Sequence, residues 1–497
     1  MKQKGSITIF VALSLVLIMS FLLALFESGR MYALKTYADM TTELAIDSVC
    51  AEYQPGLWEN YRLLCLDGAY GGETFLVEHV DGVLRSRIEQ NLDSRDMRGN
   101  LLALGLREIE NKSYQLLTDQ NGDVFLHCIA ASMKESLPME VAESIYESYR
   151  QGEGMKDASV EESIETAQNA IIEAKKKRQE ELAKDQVEDR TEEVQEEQRQ
   201  AQESEAGESN KRENPLEIAL ALKQTAILGL VLRDEDTVST KGIELSDGLT
   251  SRACRKGNME DGGNAGWYEK ILTLEYLTRY YGDFVKQEES HALSYEKEYV
   301  LCGEKTDRGN LEKAVERLLL LREAANITHI LKDSEKRNET YLLAGSLAGF
   351  TGNPAIIKVV QIGIIGAWAY LESIQDVRTL LRGEKIALIK DKEQWTLRLD
   401  NIPESFQTSF GAKSCENGLS YPEYLKMLLF IGESSKLAYR MMEIMEQNLH
   451  LVPAWRQCRM DHMICKIDYA IEYEAGTVFM PERYLTCQVE KQCFYYE

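Results

Sequence analysis

No Walker loop, dinucleotide-binding glycine fingerprint, H-E-x-x-H pair or G-x-S-x-G elbow occurs in the 497 residues, so the commonest compact catalytic signatures are absent. Carboxylate pairs are abundant only because the chain is acidic, and none is nominated for acid–base work. The expectation is a protein that is not an enzyme, with no catalytic, cofactor-binding or metal residue assigned. Positive charge is also short: 57 basic against 82 acidic residues leave a formal charge of -25. Such a chain repels phosphate backbones and anionic lipid surfaces, and nucleic acid is not an expected partner.

A cleavage site is missing as well. Ser6 to Phe26 carries no charge, and as a helix it would run about 31 Å, the thickness of a bilayer's hydrocarbon core. The residues that close it, Ala24-Leu25-Phe26-Glu27, offer no small-residue processing site, so an anchor is expected over a removed export signal. Lys2 and Lys4 precede the run, whereas the flank after it mixes Glu27 with Arg30 and Lys35. That asymmetry favours a cytoplasmic N-terminus with five residues before the span and the body outside the cell membrane. Hydrophobic residues at 44% and charged residues at 28% suit a globular body carried on one anchor.

Helical spacing of Leu34, Ala38, Thr41, Ala45 and Val49 predicts that the span continues outward as one helix until Pro55-Gly56. A helix is expected near Thr74–Asn91, an extended segment at "REIENKSYQLL", and a short helix through "VFLHCIAASMK". Residues 1–30 thus form an anchor and 31–150 a first α+β half. From 151 to 213 the chain is dominated by Glu, Gln, Lys and Arg. Val160, Ile164, Ala167, Ile171 and Ala174 keep a heptad-like spacing there, but the register fails beyond Lys175. A solvated helix or disordered insertion is expected in preference to a dimerising coiled coil.

Order resumes at Asn214, a cap, and Pro215, which suits a first helical position. The second half, 214–497, should carry helices at Trp267–Val285, Leu311–Leu331, Pro354–Leu381 and Pro422–Leu449. Strands are expected in "KIALIKDKEQWTLRL" and in "MICKIDYAIEY", the latter placing Ile467, Tyr469, Ile471 and Tyr473 on one face. Lys358 and Gln361 interrupt Ile356–Tyr370, so a buried core helix is expected there and not a second span. The fold class is α+β, mostly helical, with one N-terminal transmembrane helix.

Ten cysteines suit an oxidising exterior. Cys50 and Cys65 either close a short loop as a disulfide or are two buried thiols; Cys458, Cys465, Cys487 and Cys493 have no readable connectivity. Cys458, His462 and Cys465 with His450 do not have zinc-finger spacing and are expected to be structural. Glu372 and Asp376 form one row on the Pro354–Leu381 helix, and Arg378 and Arg382 a second row on another side. Separate ion pairs to neighbouring elements are expected, with a ligand site as the alternative. Thr306, Asp307 and Asn310 are expected to cap a helix whose Leu318 and Leu321 face inward.

"KGSITIFVALSLVLIMSFLLALFESGR" followed by "YALKTYADMTTELAIDSVCAEY" resembles the N-terminal stem of Tad (tight adherence) pilus pseudopilins: a Gly, an apolar helix, an acidic residue, then Gly-Arg and a small-residue helix. "LWENYRLLCLD", "YEKEYVLCGEKTDRGNLEKAVERLLLLREAAN", "WAYLESIQDVRTLLRGEKIALIKDKEQW" and "YPEYLKMLLFIGESSKLAYRMMEIMEQN" resemble an uncharacterised bacterial membrane-anchored family associated with Tad pilus loci. The resemblance implies a single-pass, extracytoplasmic, pseudopilin-like component whose partners are the membrane and pilus or secretion-system proteins. Phe10 stands where prepilins carry a glutamate, which speaks against processing after Gly5 and for an accessory role over that of a major subunit. The competing classes are an anchored extracytoplasmic binding or sensor protein and a membrane-bound enzyme.

Overall fold

The computed structural model describes residues 4–92, 101–153, 161–188, 214–234, 237–259, 266–402, 406, 410–479 and 484–496. In chain order its helices are α1 (Lys4–Cys50), α2 (Pro55–Tyr61), α3 (Val77–Asn91), α4 (Asp123–Met133), α5 (Met139–Glu153), α6 (Glu161–Glu188), α7 (Pro215–Lys223) and α8 (Ile227–Val231). They continue with α9 (Trp267–Tyr280), α10 (Glu296–Cys302), α11 (Asp307–Lys332), α12 (Ser334–Ala348), α13 (Pro354–Leu381), α14 (Tyr421–Ile431) and α15 (Ser434–His450). The strands are β1 (Leu66–Asp67), β2 (Gly105–Leu116), β3 (Met463–Gly476) and β4 (Tyr484–Phe494). The fold is α+β and mostly helical, with one small antiparallel sheet.

The chain divides into two compact units. The first takes Met1–Pro138, Leu245–Tyr276 and Ser434–Glu497, the second Met139–Glu244 and Leu277–Glu433. This interleaving departs from the expected halves at 31–150 and 214–497. The reason is strand pairing: β3 lies between β2 on one edge and β1 with β4 on the other, so the C-terminal hairpin completes a sheet begun before residue 117.

In the first unit the outer half of α1 is a core element. Leu34, Ala38, Thr41, Ala45 and Val49 are all buried, and they pack with Val80, Leu84 and Ile88 of α3 over the face of β3 that carries Ile467, Tyr469, Ile471 and Tyr473. Thr42 and Tyr473 hydroxyls meet at 2.6 Å, and the Tyr469 hydroxyl donates to Asp81 of α3 at 3.0 Å. Cys50, at the end of α1, forms a disulfide with Cys493 of β4, while Cys65 is a buried free thiol. The Cys50–Cys65 alternative is therefore corrected: β4 brings Cys493 beside the helix end with a Cα–Cα distance of 6.5 Å. A disulfide typically contributes about 2–4 kcal/mol.

In the second unit α13 is the core helix. From Val360 to Leu381 nearly every residue is buried, so this segment packs inside protein as expected of it. The acidic segment holds a surprise. Ile164, Ala167, Ile171 and Ala174 of α6 are buried, and α6 packs along α13, which corrects the expectation of a solvated helix. Lys175, Lys176 and Lys177 are exposed. Residues 154–160 and 189–213, where the rest of the expected insertion falls, lie outside the described residues.

Other boundaries moved for local reasons. "KIALIKDKEQWTLRL" is not a strand: it has only the bridge Ile386 to Leu419 and a 3-10 turn at Lys392–Gln394. Its Thr396 and Leu397 N–H groups donate to the Glu372 carboxylate on α13 and not to a neighbouring strand. The Trp267 helix stops at Tyr280, before Asp283 turns the chain by accepting from the Val285 and Lys286 N–H groups. Pro422–Leu449 breaks at Gly432 into α14 and α15.

Candidate functional site

Three arrangements in the described residues place polar side chains where the fold makes them count. The first lies on α1. From Ile7 to Phe26 this helix is apolar and exposed, and it is long enough to cross a membrane. One residue later Glu27 is fully buried, and Arg30 is 6% exposed. The Arg30 guanidinium forks onto the Glu27 carboxylate at 2.7 and 3.1 Å, the spacing that one helical turn supplies. It also donates to the carbonyls of Gly476 at 2.6 Å and Leu101 at 3.0 Å, and Glu27 accepts from the Val478 N–H at 3.3 Å. Phe479 sets its ring edge-on to Phe26 at 5.7 Å. One ion pair thus clasps the end of the β3–β4 hairpin and the entry to β2 against α1 at the point where the apolar run ends. Charge-assisted bonds of this kind are stronger than neutral ones, and both charges have lost their water. The sequence offered Glu27 and Arg30 only as flanking charges; their i,i+3 placement directly after an uncharged run was the available signal.

The second arrangement is a buried charge cluster in the second unit. Glu372 and Asp376 of α13 share Lys390, each at 2.5 Å, and Asp376 also meets Arg322 of α11 at 3.0 Å. All four side chains are essentially inaccessible to solvent. Arg322 further donates to the carbonyls of Ala387 and Leu388 and to the Tyr424 hydroxyl, and Asn326 donates to Asp376 and Ser373. Two cations balance two anions, and Lys390 and Arg322 hold the Asp376 carboxyl below its ordinary value despite burial. The expectation of separate ion pairs is corrected: the carboxylates share one lysine because the 385–397 segment wraps across α13. Among the described residues Arg378 has no carboxylate partner. Its Nε donates to the Leu230 carbonyl at 2.7 Å, its guanidinium lies on the rings of Phe406 and Phe410, and burial lowers its pKa to about 10. Arg382 pairs with Glu384 at the surface.

Arg322 was missed by sequence reasoning, although it occupies the same stripe of α11 as Leu318, Asn326 and His329, all buried; a charge at a core phase was the signal. Lys390 sits in irregular backbone and had none. The capping trio behaves partly as expected. Thr306 caps α11 through the Gly309 N–H, and Leu318 and Leu321 are buried. Asp307 instead accepts from the N–H groups of Ser294 and Tyr295 and from the Ser239 hydroxyl, tying a loop and not a helix end.

The third arrangement is a cavity of ≈ 830 Å³ in the first unit, between the turn before α4, the 249–256 loop and the first turns of α15. Cys458, His462, Cys465 and His450 do not converge on it or form a ligand set elsewhere. His450 approaches the Cys458 carbonyl at 2.8 Å and not its thiol, Cys465 bonds the Gln115 carbonyl, and burial pushes the Cys458 thiol up to about 12. Among the described residues no group of three metal-binding side chains forms.

No curated protein and no solved structure matches the chain. A family model does match, over residues 205–475, more than half of the sequence, and it takes in the buried cluster, the 249–256 loop and β3 while leaving α1 and β4 outside. The chain belongs to that family, the family of unknown function DUF5702.

Proposed function

We propose that this protein is a membrane-anchored, non-catalytic accessory of a Tad-type pilus or secretion system, held by Ser6–Phe26 with its N-terminus cytoplasmic and its body extracytoplasmic. The observation that carries the reading is α1 itself. One uninterrupted helix is exposed and apolar over its first half and is a core element of the first unit over its second half. Such a helix fixes the body to the bilayer with no flexible joint, because Glu27 and Arg30 lock the sheet to it within one turn of the apolar run. Ala12, Ser14, Ser20 and Ala24 are small enough to let a neighbouring stem approach closely within lipid. This build agrees with the pseudopilin-like stem resemblance, and Phe10 supports an accessory over a major subunit.

In a strain that carries such a system, deletion should reduce surface pili and leave pilin transcription intact, and a photocrosslinker in the stem should capture a pilus component. Normal pilus number and adhesion after deletion, with no such crosslink, refutes the reading. A second reading, an anchored binding protein, is favoured by the cavity beside α15.

A further inference from the structure

The cavity concentrates positive charge in a strongly acidic chain. Its lining includes Arg252, Arg255 and Lys256 from one loop and Lys436 and Arg440 from α15, against one carboxylate, Asp119. Asp119 is turned inward: it accepts from the Leu116 N–H at 2.7 Å and the Gly257 N–H at 2.9 Å. Of the carboxylates behind the loop, Glu446 and Asp461 are engaged by Arg252 at 2.6 Å each, and buried Glu443 accepts from the Thr250 hydroxyl at 2.8 Å. Arg252 is 9% exposed, and its Nε is a buried donor with no partner among the described residues. Arg252 thus anchors the loop through Glu446 and Asp461.

Other features of the wall agree. Ser435 and Lys436 belong to the first turn of α15, a 17-residue helix with no acidic residue in that turn, so its dipole adds positive potential. Leu249, Ala253 and the Tyr439 ring give the cavity an apolar side, and Tyr439 is fixed by donating to the Thr118 carbonyl at 3.2 Å. The volume is within the usual range for small-molecule sites, roughly 300–1,000 Å³. Burial pushes the Cys254 thiol up to about 11, so it stays protonated near neutral pH.

We infer that this cavity is a binding site for a small phosphate ester, with the phosphate between the 252–256 loop and α15 and the organic part against Leu249 and Tyr439. Cations reach the space from two walls, and a phosphate, with three terminal oxygens, accepts from several directions where a planar carboxylate takes one fork. The inference does not depend on the pilus assignment, since the site lies wholly in the first unit.

The test is calorimetric titration of the full chain, in an uncharged detergent and phosphate-free buffer at low ionic strength, with glycerol 3-phosphate, inorganic phosphate and succinate. Glycerol 3-phosphate should bind saturably, more tightly than inorganic phosphate and than succinate, and more weakly as salt rises. The triple variant K256Q/K436Q/R440Q should lose about tenfold or more in affinity while its thermal melt stays unchanged. The control K112Q/K491Q, two lysines on the sheet, should bind as the parent does. No saturable binding, equal binding by the triple variant, an equal loss in the control, or preference for succinate overturns the proposal. If the triple variant melts early, K436Q and R440Q singly serve instead: each should melt as the parent does and bind glycerol 3-phosphate several-fold more weakly, and parent-like binding in both overturns the proposal.

Discussion

Replacing Arg30 with Met tests whether the sheet is held to α1 by charge. The variant keeps the length of the side chain and leaves the Glu27 carboxylate buried without its counter-ion, with the Gly476 and Leu101 carbonyls deprived of their donor. Removing one partner of a buried pair costs about 3–5 kcal/mol, most of it the desolvation of the charge left behind. The penalty falls locally, because the core of α1 begins a turn later at Leu34 and the Cys50–Cys493 disulfide holds the far end of the sheet. The expected result is opening of one end of the β3–β4 hairpin and not global unfolding.

Amide hydrogen exchange on the detergent-solubilised chain reads this directly. About 3 kcal/mol lost from the local opening free energy speeds exchange roughly a hundredfold, so Val478 and the Gly476–Tyr484 end of the ladder should lose protection while Ile471 keeps it. The double variant E27Q/R30M removes both charges and should recover most of that protection, since no uncompensated ion remains. Unchanged exchange at Val478 in R30M, or equal opening in single and double variants, would show that packing and not the ion pair holds the junction.

Two further predictions concern the second unit. Lys390→Met leaves two buried carboxylates facing Arg322 alone and should lower stability by about 3–5 kcal/mol in urea denaturation, with E372Q/K390M less damaged; equal stability of K390M and the parent refutes the cluster's role. Glu298 is fully buried, accepts from the Tyr421 hydroxyl at 2.7 Å, and burial with Asp283 nearby raises its pKa from 4.5 to about 8. The folded state therefore holds a proton that the unfolded chain releases, so this contribution is complete below pH 4.5 and is lost as pH rises through about 8. The loss amounts to about 5 kcal/mol, and E298Q should flatten that slope in melts across the window; an unchanged slope in E298Q sinks the assignment.

What could be read from the sequence follows the range of the interaction responsible. The course of α1, the face of β3 and the caps at Asn214 and Thr306 depend on neighbours within one or two turns, and each stands where its local pattern put it. The Cys50–Cys493 pairing spans a separation of 443 residues, and nothing local distinguishes Cys493 from Cys487. The buried cluster draws Arg322, Asp376 and Lys390 from three separate stretches, so only the charge at a core phase was visible. The cavity was hidden by the total: -25 describes the whole chain, whereas "RACRK" and "KLAYR" are small basic islands that matter only because the fold sets them on facing walls.

The α6 stripe shows the limit most plainly. Ile164, Ala167, Ile171 and Ala174 repeat at heptad-like spacing, and that pattern states only that one face needs an apolar partner. It does not say whose. A second copy of the helix would meet the need and so would any apolar groove within the chain, at a cost set by concentration in the first case and by loop closure in the second. Loop-closure entropy grows only as the logarithm of length, so a partner nearly two hundred residues downstream costs little more than one nearby. α13 is that partner: with an apolar surface wider than any one neighbour covers, it takes α6 on one side and α11 and α12 on others, and the stripe is satisfied within the chain. Beyond Ala174 the stripe gives way to the exposed lysines 175–177, so dimerisation through this face would first have to displace it from α13.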